Sequence, residues 1–104
     1  MTRYRLARFE ELPRGEGRSF EAGGRRLAVF RTRAERLFAT EAECPHQRGP
    51  LADGLLGSSM VICPLHERRF DLITGQCLNG GRGVETFSVE RTSDGYVEVD
   101  LPDS

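Results

Sequence analysis

Lysine and tryptophan are absent from this 104-residue sequence, histidine occurs twice and cysteine three times. All 15 basic residues are therefore arginine, which reads as a GC-rich coding bias. No apolar run approaches the roughly 20 residues that a membrane-spanning helix needs, and the N-terminal MTRYRLARFEEL lacks the apolar core of a secretory signal. A basic excess is missing too: the net charge of −1 argues against a nucleic-acid or anionic-membrane partner. A cytoplasmic protein is expected, and three cysteines in that compartment read as metal ligands or buried thiols rather than disulfides. With 38% apolar and 30% charged residues, the chain is expected to form a single domain over residues 1–104, with one modest core under a charged surface.

A helical period is also lacking, since no window of 11 or more residues repeats at 3.6. Short alternating segments take its place. Tyr4–Phe9, Ser19–Glu21, Arg26–Arg31, Arg36–Thr40, Val84–Glu90 and Tyr96–Leu101 read as strands, with Ala22-Gly23-Gly24 and Arg91-Thr92-Ser93-Asp94-Gly95 as hairpin turns. Val61-Ile62 and Phe70–Ile73 read as strands flanking a loop, and Thr40–Glu43 as a short helical turn that Pro45 and Pro50 keep from growing. The pattern predicts an all-β fold, an antiparallel sandwich or small barrel. Charge is uneven: residues 1–36 carry ten Arg against five Glu, residues 37–104 five Arg against eleven acids. The expectation is that the two halves interleave in space, so that the asymmetry is structural and not a docking code.

What remains is concentrated. Both histidines and two of the three cysteines fall in CPHQRGPLADGLLGSSMVICPLH, residues 44–66, as Cys44-x-His46 and Cys63-x-x-His66. Prolines and glycine around each pair favour loops, which can aim two neighbouring side chains at one point as a strand cannot. Two readings fit two thiols and two imidazoles. A structural zinc accepts the set, but zinc modules usually group Cys with Cys and His with His. Mixed pairs suit better a binuclear centre, in which two thiolates hold one iron and two imidazoles the other.

The segment CPHQRGPLADGLLGSSMVICPLHERRFDLITG resembles the cluster-binding segment of Rieske-type ferredoxins, with C-x-H, a spacer of the family's length, and C-P-x-H followed by F-D. It is also similar to the small subunit of NAD(P)H-dependent nitrite reductase. The resemblance implies a Rieske-type antiparallel β-sandwich with a small cluster-binding subdomain of two loops, about residues 43–53 and 62–71. It also implies one [2Fe-2S] cluster, with Cys44 and Cys63 on the inner iron and His46 and His66 on the outer. Respiratory members of the family carry an extra cysteine in each loop. Gly49 and Leu65 stand at those places here, so that disulfide cannot form. Arg68 and Phe70 replace a Ser and a Tyr whose hydroxyls bond cluster and thiolate sulfurs, so the resemblance implies a low-potential cluster.

The histidine count limits the role. Oxygenase subunits of this type need a second iron held by further histidines, and both are already assigned. No Gly-rich phosphate loop is present either. The chain is therefore expected to be an electron carrier and not an enzyme. As a ferredoxin it would serve a flavoprotein reductase and a terminal oxygenase; as a subunit it would serve a large nitrite reductase chain. Cys77, outside both motifs, reads as a buried thiol. Leu51, Leu55, Leu56 and Leu65 read as an apolar cover for the cluster. Arg48, Glu67, Arg68 and Arg69 border the loops as either docking or solvated charges.

Overall fold

A computed structural model of the chain describes residues 1–45, 48–65 and 67–103. The strands are β1 (Thr2–Arg8), β2 (Glu16–Ala22), β3 (Arg25–Arg31), β4 (Leu37–Glu41), β5 (Leu55–Leu56), β6 (Met60–Ile62), β7 (Arg69–Asp71), β8 (Thr86–Arg91) and β9 (Tyr96–Leu101). Six of them form an antiparallel sheet in the order β1-β9-β8-β4-β3-β2, and the other three a small meander, β5-β6-β7. The large sheet is joined at its middle by a short stretch, Ala39↔Phe87 and Thr40↔Thr86, extended by the Glu41 N–H donating to the Glu85 carbonyl at 3.0 Å. It therefore folds over itself: β1, β8 and β9 on one side and β2, β3 and β4 on the other share one core, the sandwich expected from the alternating segments.

Strand β3 explains how the site is supported. Its run Leu27-Ala28-Val29-Phe30 has no polar position because both faces are covered. Leu27 and Val29 pack with Phe9, Phe87, Val97, Val99 and Leu101 inside the sandwich. Ala28 and Phe30 pack outward with Val61, Phe70, Leu72, Cys44 and Cys63 of the small sheet and its loops. Burying Phe30 completely stabilises the contact between the two sheets by roughly 2–3 kcal/mol.

Local chemistry sets the ends of the strands. The β2–β3 hairpin pairs Ala22 with Arg25, leaving Gly23 and Gly24 at φ 57 and 76, the two-residue turn that needs positive φ at both positions. Phe9, expected at the end of β1, instead opens a one-turn 3-10 helix, Phe9–Glu11. There the Glu11 carboxylate accepts the Arg8 N–H at 2.8 Å. The helical turn expected at Thr40–Glu43 does not form, because Thr40 and Glu41 pair with Ala28 and Leu27 in the sheet. The strand expected through Ile73 stops at Asp71. Its carboxylate accepts the Ile73 and Thr74 N–H groups at 2.8 and 3.3 Å and bends the chain away.

The uneven charge also finds its reason. Arg3 pairs with Glu90, with Glu98 at 3.5 Å and with Asp100 at 2.9 Å. Arg5 pairs with Asp94 and Glu98, and Arg25 with Glu85. The basic β1 is thus ion-paired to the acidic β9 and β8 beside it on one side of the sandwich, and the two halves of the sequence interleave as expected.

Candidate metal centre

The chain leaves the sandwich after β4 and returns to it at β8, and the segment between carries the two predicted loops. They share one construction. Glu43 bridges Pro50 below the first loop, and Ile62 pairs with Arg69 below the second. Above these pairs the Cys44 N–H donates to the Gly49 carbonyl at 2.8 Å, and the Cys63 N–H to the Arg68 carbonyl at 2.7 Å. Each closure spans six residues, beginning Cys-Pro. The fifth residue of each loop takes the left-handed conformation although it is not glycine: Arg48 at φ 56 and Glu67 at φ 53. Such a residue costs about 1 kcal/mol or more, and strain of this kind concentrates where a loop must aim functional groups.

The cysteine thiols meet between the loops. Cys44 and Cys63 are each 1% exposed, and neither is in a disulfide. Burial pushes the Cys63 thiol up and the adjoining Cys44 thiol adds to it, while a hydrogen bond from the Leu65 N–H acts in the opposite direction. Two buried free thiols side by side on separate loops form a donor pair for one thiophilic metal ion. Among the described residues no other group of His, Cys, Asp and Glu converges to make a metal site. The other two predicted ligands, His46 and His66, lie outside the described residues.

Gly49 lies at the contact. A Cβ there would come within 2.8 Å of the Cys63 Sγ and 3.1 Å of the Leu65 Cγ. Positions 49 and 65 therefore do face each other, and Leu65 fills the space beside Gly49. The apolar cover is only partly as expected. Leu51 is fully buried and Leu56 packs on the same core, but Leu55 is 74% exposed and Leu65 43%. Leu55 and Leu56 are neighbours in a strand, so they point to opposite faces.

Cys77 is buried as expected, bridged to Phe70. Its Sγ lies 3.0 Å from the Gly80 carbonyl oxygen and 3.4 Å from Asn79 Oδ1, so its S–H is bonded within its own loop. This loop clamps the second ligand loop, a role not legible in the sequence. Asn79 Oδ1 accepts the Arg69 N–H at 3.1 Å, and Asn79 Nδ2 donates to the Glu67 carbonyl at 3.2 Å. Arg68 Nη1 donates to the Gly80 carbonyl. The only local signal was the Asn79-Gly80 dipeptide, which marks a turn and says nothing about what the amide reaches. Neither replacement offers a hydroxyl to sulfur: Arg68 donates to the Gly80 carbonyl, and Phe70 packs as a bare ring in the core that holds Cys44 and Cys63. Among the described residues no side-chain hydroxyl bonds Cys44 or Cys63.

Comparison with known proteins places this geometry. The fungal nitrite reductase [NAD(P)H] of Emericella nidulans is 35% identical over 94 residues, covering 81% of this chain but 8% of that enzyme. The ferredoxin component of a naphthalene 1,2-dioxygenase system from Pseudomonas aeruginosa is 32% identical over 82 residues, covering 77% of this chain and 78% of that protein. The solved structure of the ferredoxin of carbazole 1,9a-dioxygenase from Nocardioides aromaticivorans superimposes with a TM-score of 0.84 at 27% identity. That match covers 95% of this chain and 97% of the other. The family defined as the Rieske [2Fe-2S] domain matches residues 2–89. Its centre needs two thiolates on one iron, and the buried Cys44–Cys63 pair fits that demand. The chain belongs to the Rieske [2Fe-2S] domain family.

Proposed function

We propose that this chain is a one-electron carrier, a ferredoxin that delivers electrons to a partner oxygenase. Cys44 and Cys63 hold one iron, and His46 and His66 the other, of a single [2Fe-2S] cluster, which when bound takes up and releases one electron. The observation that carries this reading is the pair of free, buried thiols at the meeting of two identically closed loops. Around them the chain's own residues exclude water: Leu51, Val61 and Phe70 lie fully buried beneath the thiols. The Leu65 N–H directs a hydrogen bond at the Cys63 sulfur. In this reading residues 1–104 act as a single domain. It works in the cytoplasm, whose reducing conditions suit three free cysteines. No helix among the described residues is long and apolar enough to cross a membrane.

The 32% identity to the naphthalene dioxygenase ferredoxin component, over 77% of this chain and 78% of that protein, supports a carrier that a flavoprotein reductase reduces. A second reading, a subunit of an assimilatory nitrite reductase, draws support from the 35% identity to the fungal enzyme. Isolation as a monomer supports the first, and a stable complex with a large sirohaem–flavin chain the second.

The protein should be red-brown as isolated, hold about two irons and two sulfides per chain, and give on reduction a rhombic EPR signal of low average g. A colourless preparation from iron-replete cells, holding one zinc per chain, would overturn the assignment in favour of a zinc-stabilised module. Without hydroxyl donors to sulfur, the midpoint is expected near the bottom of the roughly −150 to +300 mV range of such centres. A midpoint above about +100 mV would contradict that reading of Arg68 and Phe70.

Asn79 supplies a separate check. In the Asn79→Ala variant, two hydrogen bonds to the ligand-loop backbone disappear at about 1 kcal/mol each. Bleaching of the visible bands in chelator should quicken roughly 5- to 30-fold. Asn79→Asp keeps the acceptor for the Arg69 N–H but loses the donor to Glu67, and should fall between the two. Equal rates in all three proteins would remove Asn79 from any role in holding the loop.

A further inference from the structure

Asn79 is the only asparagine in the chain, and a glycine follows it. It lies in the turn after Cys77, where Asn79, Gly80, Gly81 and Arg82 are all exposed and the two glycines have φ 89 and 108. Asparagine is among the thermally labile side chains, because the peptide nitrogen of the next residue can attack its amide carbon. The usual obstacle to that attack is a side chain on the next residue. Gly80 has none, and a Cβ built there would meet nothing within 4 Å, so the approach is open. Among the described residues the Gly80 N–H donates to no acceptor, so its nitrogen is not tied into the fold.

The surroundings favour the reaction at both reacting atoms. The Arg69 N–H donates to Asn79 Oδ1 at 3.1 Å and draws electrons from the carbon under attack. A donor aimed at such an oxygen stabilises the charge that develops on it. Arg68 is held on the Gly80 carbonyl through Nη1, and Arg68 and Arg82 line a cleft of about 120 Å³ with Gly80 and Gly81 and with no carboxylate among the described residues. Cations beside a peptide nitrogen favour its deprotonated, attacking form. The bond from Asn79 Nδ2 to the Glu67 carbonyl, at 3.2 Å, acts in the opposite direction by holding the amide on the ligand loop. It slows the closure without preventing it, because an exposed turn opens locally far more often than the whole protein unfolds.

We propose that Asn79 is a site of spontaneous deamidation, which unfastens the second ligand loop. The Gly80 nitrogen gives its proton to water and bonds to the Asn79 side-chain carbon. The bond from that carbon to Nδ2 breaks, and ammonia leaves after taking a proton from water. Water then opens the succinimide on either side, leaving aspartate or isoaspartate at position 79. Aspartate keeps an acceptor for the Arg69 N–H but faces the Glu67 carbonyl with a carboxylate oxygen in place of a donor. Isoaspartate routes the main chain through the former side-chain carbonyl, so both bonds to the loop of Cys63 are lost. The change is irreversible, and each chain's hold on its cluster declines with its age. That effect on the cluster rests on the assignment above; the modification itself does not.

The test ages the iron-loaded protein in mildly alkaline buffer beside a free peptide containing Leu-Asn-Gly-Gly, whose conversion marks the time. The intact mass should rise by one amide-to-acid exchange. Fragmentation should place the gain at position 79, as a mixture of aspartate and isoaspartate. Asn79→Gln, whose longer side chain closes a ring far more slowly, should lose the gain over the same interval. Gly80→Ala, which sets a Cβ beside the attacking nitrogen, should lose it too. Chelator should bleach the aged protein at a rate between those of fresh protein and of Asn79→Ala, while aged and fresh Asn79→Gln bleach alike. A mass still unchanged when the peptide has fully converted, or a gain placed at Gln47 or Gln76, would overturn the site. A gain at position 79 with no change in bleaching would overturn its effect on the loop. A colourless protein would sink the cluster assignment alone, and the mass at position 79 would still decide the modification.

Discussion

Replacing Cys63 by serine should yield a chain that folds but carries almost no iron–sulfur chromophore, while Cys77→Ser keeps its colour. The two cysteines are buried in the same core and differ in what surrounds the sulfur. Cys63 sits against the Cys44 thiol, on a loop closed from its own N–H to the Arg68 carbonyl. The Leu65 N–H already directs a hydrogen bond at its sulfur and favours the thiolate once metal displaces the proton. A serine hydroxyl at this place is a harder and far weaker acid, and iron–sulfur clusters are held by thiolates. Cys77 has the opposite setting. Its S–H points at the Gly80 carbonyl at 3.0 Å, a bond that a hydroxyl makes at least as well. Its replacement should cost no more than about 2 kcal/mol, the price of burying a slightly smaller and more polar group. Iron and sulfide per chain, read with the visible spectrum, check both variants. Full iron in Cys63→Ser, or none in Cys77→Ser, would reverse the assignment of the two thiols.

Gly75→Ala is expected to be the most destabilising single methyl addition in the connection between the two sheets. Gly75 has φ 82, its N–H donates to the Asp71 carbonyl at 2.7 Å, and its own carbonyl accepts the Val84 N–H at 2.8 Å. A Cβ would fall 2.0 Å from the Val84 carbonyl oxygen, a backbone atom that cannot swing aside. The left-handed conformation costs about 1 kcal/mol. Pushing Val84 away loses a hydrogen bond of about 1 kcal/mol and disturbs the entry to β8, where the small sheet rejoins the sandwich. A total of about 2 kcal/mol or more lowers Tm by at least roughly 8–16 °C, measured by circular dichroism on the iron-loaded protein. Gly24→Ala is the control. Gly24 also has positive φ, at 76, but its Cβ would meet nothing within 4 Å, so only the conformational cost of about 1 kcal/mol remains. Equal shifts in the two variants would show that the approach of Gly75 to Val84 is not a tight one.

The sequence by itself determined the fold class, because alternation along a strand is a local property: Tyr96–Leu101 can be read as a strand without knowing its neighbours. The proposed ligand types and their pairing also come from the sequence, since Cys44-x-His46 and Cys63-x-x-His66 are short-range spacings that bear on coordination chemistry directly. The likeness to Rieske ferredoxins rested on that same stretch, and the family match bears it out. Other features were open until the chain was folded. Strand ends moved where a side chain captured backbone groups, as Asp71 does beyond β7. That Leu55 faces outward while Leu51 is buried follows from how β5 lies on the core, which no count of apolar residues reveals. The common six-residue closure of the two loops, with Arg48 and Glu67 in matching left-handed positions, depends on which carbonyl each cysteine N–H finds. The Asn79 clamp joins residues 10 and 12 positions apart. The division between a sandwich laced with ion pairs and a ligand-loop segment that has none among the described residues is likewise tertiary. Arg3 and Arg48 are the same residue type, and the approach of Glu90, Glu98 and Asp100 to Arg3 distinguishes them. Electrostatic partners are chosen by distance in space, and that distance exists only once the strands have paired.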